Sequence, residues 1–142
     1  MEAARELEPI VRTLAARVDK LGLRPLSEPE RTVFLIWNFT HALDNGGVDA
    51  FFYNKSGEHA EKTVEALYVI GAKQLAKLLE ESIALFPDGD VPSDIDERTD
   101  VLEEIARDTE DVFERLRISY DDQTSERILR ATFKYWMAQT AS

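Results

Sequence analysis
The sequence predicts an all-α fold, a compact single-domain bundle of about seven helices over residues 1–142, from three observations. Apolar residues recur at spacings of three and four through almost the whole chain. Gly, Pro, Asn, Asp and Ser punctuate those runs at helix-length intervals. No stretch alternates β-branched and polar residues, and no hairpin signal competes.

Residues 3–20 give the first pattern, with Leu7, Ile10, Val11, Leu14 and Val18 on one stripe. Pro9 falls inside it, so the helix either starts there or kinks there, and Gly22 closes it. Ser27 with Glu30 three residues on is a capping box. The helix it opens points Val33, Phe34, Trp37 and Leu43 inward and is expected to stop at Asn45-Gly46-Gly47. A helix capped by Ser56 or Gly57 carries Ala60, Val64, Leu67 and Ile70 to Gly71. The next carries Leu75, Leu78, Leu79, Ile83 and Phe86 to Pro87, so Gly71 marks a sharp bend or a kink. Residues 87–96 read as a loop. Asp94 with Glu97 caps a helix running to about Ile118, with Val101, Leu102, Ile105, Val112, Phe113 and Leu116 as its stripe. The last helix, from about residue 125 to 139, carries Ile128, Leu129, Thr132, Phe133 and Trp136.

One stretch organises the rest. Asp44 to Gly57 holds three of the six glycines, two of the three asparagines and the aromatic run Phe51-Phe52-Tyr53. Asn and Gly serve positive φ and close backbone approach, so Asn45-Gly46-Gly47 reads as a tight turn and Asn54 to Gly57 as a second. Val48, Phe51 and Phe52 suit a one- or two-turn helix between them.

The formal net charge is −11, and it is unevenly spread. Residues 1–87 carry 13 acids against 10 bases, residues 88–122 carry 14 against 4, and residues 123–142 carry 1 against 3. Nearly all the imbalance therefore lies in one quarter of the chain. Such a chain repels nucleic acid and anionic membranes and favours a basic partner. The plain alternative is an acidic surface that serves solubility. With no cysteine, no disulfide or thiolate metal site is available. With no signal-like N-terminus and no long apolar run, a cytoplasmic protein without membrane contact is expected.

The motif Asn45-Gly46-Gly47, Phe51-Phe52 with Asn54, and Ser56-Gly57 is followed by Ala66-Leu67, Ile70-Gly71-Ala72 and Phe86-Pro87. Together these residues resemble a bacterial family of all-α domains of largely unknown function. One described member is a DNA mimic that occupies the DNA-binding surface of a transcription factor. The resemblance implies an all-α fold and a protein-binding role, and it supplies no catalytic residues. Asn45, Gly46, Gly47, Phe51, Phe52, Asn54 and Gly57 form its structural motif. Ala50 departs from it, standing where the family tends to have a polar residue.

The candidate partner-binding residues are acids. On the helix opened by Asp94, the face opposite the apolar stripe carries Asp96, Asp100, Glu103, Glu104, Asp108, Asp111 and Glu114, and Asp121 and Asp122 extend it. Helical neighbours at these spacings lie roughly 5–6 Å apart at Cβ, comparable with phosphate spacing along a nucleic acid strand. Arg98, Arg107, Arg115 and Arg117 interrupt the row and would soften its field. His41 and His59 lack a third ligand, and Asp88-Gly89-Asp90 lacks the later acid of a calcium loop, so no metal site is assigned. No nucleophile elbow or phosphate loop is present, so no catalytic residue or cofactor is assigned.

The expected function is a non-enzymatic acidic protein-binding module. On the resemblance, it is a DNA mimic occupying the basic surface of a transcription factor or other DNA-binding protein, without binding nucleic acid itself. A homodimer is compatible with this. An immunity-type inhibitor of a basic toxin or nuclease would use the same face. A small-molecule or metal-dependent enzyme would instead use the region of Asn38, His41 and Asn45.

Overall fold
The computed structural model describes residues 2–108 and 120–141. Among them are six α-helices: α1 (Glu2–Leu21), α2 (Glu28–Tyr53), α3 (Ala60–Val69), α4 (Lys73–Ala84), α5 (Ile95–Asp108) and α6 (Asp122–Thr140). Two short 3-10 segments, Lys55–His59 and Pro87–Gly89, follow α2 and α4. The all-α class is therefore what the chain adopts.

The bundle is built around α2, which packs against α1, α3, α5 and α6, while α4 packs on α3. The sequence explains the central place. In its first half Thr32, Val33, Phe34, Leu35, Ile36, Phe39 and Thr40 are all buried. A helix apolar on most sides is stable only when neighbours enclose it. Its start is fixed locally by the expected capping box. The Ser27 N–H donates to Glu30 Oε1 at 2.9 Å, and the Glu30 N–H donates to Ser27 Oγ at 3.3 Å. Glu30 also accepts from Arg17 at 2.8 Å, which ties the start of α2 to α1.

The α1 helix starts before Pro9 and continues through it, with Ala3, Leu7, Val11 and Leu14 buried against the core. The bend at Gly71 is real. Gly71 N–H donates to Tyr68 O at 3.0 Å and Ala72 N–H to Leu67 O at 2.9 Å, the paired bonds of a Schellman stop. The α3 and α4 helices are thus two elements rather than one kinked helix.

Two expectations are corrected. The break expected over Asn45-Gly46-Gly47 falls on Gly47 alone, a one-residue kink between two helical stretches rather than a three-residue turn. Gly47 alone leaves helical geometry, at φ 79° and ψ −170°, and the helix resumes to Tyr53. That combination is open almost only to glycine. Past the kink, the consecutive side chains Phe51 and Phe52 are both fully buried. Phe51 meets Phe39 edge-on at 5.0 Å between ring centroids, and Phe52 meets Phe86 at 5.2 Å. The kink thus lets one helix supply two core aromatics that bridge its own first half to the end of α4. Each buried ring contributes roughly 1.5–3 kcal/mol. Trp37, expected inside, is only partly buried and stacks on His41 at 5.2 Å. The α2 ring that fills the centre is Phe39, two residues on.

Candidate functional site
The most strongly charged surface lies on α5 and the segment that leads into it. The Asp94 carboxylate accepts the Glu97 N–H at 2.9 Å, so the predicted cap is formed. Beyond it, Leu102 and Ile105 are buried, which fixes the rotation of the helix. The opposite face carries exposed Asp96, Asp100, Glu103 and Glu104. Asp88, Asp90, Asp94 and Glu97 are exposed beside them. Asp108 closes the described span of α5 and Asp122 opens α6. Asp111 and Glu114 lie outside the described residues, as do Arg115, Arg117, Val112, Phe113 and Leu116. The described structure thus brings together the N-terminal half of the expected acidic row.

Asp121 has a structural role. Its carboxylate caps α6, accepting the Thr124 N–H at 2.8 Å and the Thr124 hydroxyl at 3.0 Å. The backbone hydrogen bond from Thr124 holds its pKa below the ordinary aspartate value.

The residue that sequence reading misplaced is Arg98. It was expected to interrupt the acidic row at the surface, yet it is 0% exposed and ranks among the largest fully buried side chains. Its guanidinium donates to four main-chain carbonyls: Phe52 O at 2.7 Å, Asn54 O at 2.6 Å, Pro92 O at 2.8 Å and Ser93 O at 3.2 Å. A buried cation is tolerable only with such complete hydrogen bonding. Burial lowers its pKa from the usual arginine range, opposed by the charges of Glu58 and Asp94. Between residues 88 and 104 the sequence holds eight acids and this one base, and the base is turned inward. The exposed side chains there carry only one sign of charge.

This clasp also accounts for the Phe51–Gly57 motif. A Cβ on Gly57 would stand 2.8 Å from Phe51 O, 2.9 Å from Phe52 Cα and 3.0 Å from Arg98 Nε. Gly57 is needed for close approach, because the backbone after α2 folds directly over the guanidinium. Phe51 and Phe52 anchor the segment in the core, and Asn54 supplies an acceptor through its main chain.

On the far side of the same loop, a cleft of about 630 Å³ is floored by Val18, Leu23 and Phe34 and rimmed by Asn38, Asn54 and His59. His59 sits partly inside, and burial lowers its pKa despite the adjacent Glu58 carboxylate at 3.2 Å. Asn38, His41 and Asn45 are not gathered there. Asn38 lines the cleft, while His41 is exposed against Trp37 and Asn45 is exposed beside the kink. Asp44 instead accepts the Ser125 hydroxyl at 3.0 Å, joining α2 to α6. Among the described residues, no group of three or more His, Asp or Glu is placed to hold a metal ion. No helix among them is long and apolar enough to cross a membrane.

Residues 24–139 fit the model of a family described as DMP19-like protein. No curated protein and no solved structure matches the chain. The matched span contains α2 to α5, the clasp and all but the last residue of α6.

Proposed function
The chain belongs to the DMP19-like family, and from that premise we propose that it is a non-enzymatic DNA mimic that occupies the basic surface of a DNA-binding protein. The observation that carries this reading is the exposed acidic face at the start of α5. Asp96, Asp100, Glu103 and Glu104 are exposed on one side of that helix, and Arg98, the one base between residues 88 and 104, is withdrawn into the core. Carboxylates at i, i+3 and i+4 stand roughly 5–6 Å apart. That spacing suits the lysines and arginines with which a DNA-binding protein meets successive phosphates. An acidic patch also speeds encounter with a basic partner, in a manner that salt suppresses.

The test neutralises Asp96→Asn, Asp100→Asn, Glu103→Gln and Glu104→Gln together, leaving Arg98, Leu102 and Ile105 in place. Wild-type protein, used as bait in extract of its own cell at low salt, should retain a DNA-binding protein identifiable by mass spectrometry. The variant should release it, with unchanged circular dichroism. Equal retention by both proteins at low and high salt would show that the face serves solubility alone. A basic toxin or nuclease as the retained protein would make the chain an immunity-type inhibitor.

A further inference from the structure
We propose that Arg98 is the positioning residue that sets the direction in which the acidic helix projects from the body of the protein. The inference rests on the binding role proposed for that helix, but its geometry stands apart from any partner.

Among the described residues, α5 packs principally on α2. Leu102 and Ile105 hold it down. Apolar burial is non-directional, so those two contacts permit the helix to roll or slide. The guanidinium does not. Its planar fork reaches Phe52 O and Asn54 O at the end of α2 on one side and Pro92 O and Ser93 O before α5 on the other. Hydrogen bonds at fixed angles from one rigid group define both the position and the rotation of the helix start. The α2 acceptors are 46 and 44 residues away in sequence, so the link is between elements and not within a turn. Gly57 lies close over Nε, where an added Cβ would stand 3.0 Å from it. Asp94, Asp96, Glu97 and Asp100 surround Arg98 in sequence and are all exposed. Any roll of the helix about this residue would re-aim them together. Lysine cannot replace it, because one ammonium is a point donor and cannot span acceptors on two sides.

The chain has no cysteine, so introduced pairs can be spin-labelled without background. One pair, Lys62→Cys on α3 and Glu104→Cys on α5, reports the acidic helix. A second, Arg12→Cys on α1 and Lys77→Cys on α4, reports the body. All four positions are exposed. Pulsed electron resonance distances are compared for the native background, Arg98→Lys and Arg98→Met. The expected result is a narrow 62–104 distribution that broadens or shifts in both variants, while the 12–77 distribution stays as in the native protein. An unchanged 62–104 distribution in Arg98→Met would overturn the proposal. If Arg98→Met does not fold, Arg98→Lys decides, and an unchanged distribution there overturns it equally. A loss of stability alone would lower the melting temperature without moving the 62–104 distance below it. Because no partner is needed, a moved helix with partner capture unimpaired would uphold the role of Arg98 and count against the binding reading instead.

Discussion
Replacing Gly57 by alanine puts one methyl group against the clasp, and the structure sets its cost. The new carbon would lie 2.8 Å from Phe51 O and 2.9 Å from Phe52 Cα, both main-chain atoms that a side-chain rotation cannot relieve. Comfortable contacts between carbon atoms are about 3.5–4.0 Å, so the loop must retreat by several tenths of an ångström or more. Overpacking of this kind costs about 1–3 kcal/mol. The retreat also pulls Phe52 O from Arg98 Nε, now 2.7 Å apart, and a hydrogen bond to a charged group contributes about 1.5–3 kcal/mol. Partial loss of that bond brings the expected total to about 3 kcal/mol. Gly22→Ala is the control. At φ +75° with open space around its Cβ, it should show only the left-handed backbone penalty of about 1–2 kcal/mol. Urea unfolding followed by circular dichroism, with m unchanged between variants, measures both. A Gly57→Ala loss no larger than that of Gly22→Ala would refute the close-packed clasp.

Other consequences follow from the same geometry. Gly47→Val places a β-branched residue at φ 79° and ψ −170°, and should lower stability by at least about 1–3 kcal/mol in the same urea assay. Phe52→Ala should cost about 3–5 kcal/mol, and Trp37→Ala distinctly less because that ring is only partly buried; the reverse order in thermal melts would contradict the packing. The Glu30 pKa is lowered, chiefly by the Ser27 backbone hydrogen bond, so its stabilisation is complete above the ordinary carboxylate value of 4.5 and is lost as pH falls through its folded pKa. Glu30→Gln keeps the capping box but not the titration, and should therefore flatten stability against pH below that value; an unchanged acid limb would count against this assignment.

The helices were legible because their signals are local. Caps at Ser27 and Asp94 each act within three residues, and the stripes of α1, α4 and α5 repeat at helical spacing. The α2 helix was harder. Buried on most sides, it has no single stripe to read, so Phe39 was overlooked in favour of Trp37. The three-residue turn read at Asn45-Gly46-Gly47 is a kink at Gly47 alone, because a turn and a kink between two helical stretches use the same residue types. The acids of the candidate site were plain from charge alone. Arg98 was not, since its acceptors are main-chain atoms distant in sequence, to which side-chain identity gives no clue. One sign was present: Arg98, Leu102 and Ile105 share a helical phase, which puts the arginine on the apolar stripe rather than on the acidic face.

Competition with DNA tests the binding role most directly. Any DNA-binding protein that the chain retains is titrated, on the immobilised complex, with duplex DNA carrying a site it recognises. If the acidic face stands in the place of phosphates, DNA and the chain exclude one another. The duplex then releases the captured protein in step with its own affinity, and the Asp96, Asp100, Glu103 and Glu104 neutralised variant captures none to release. A stable ternary complex of chain, DNA-binding protein and DNA would contradict the mimic reading, because one basic surface cannot serve both ligands at once.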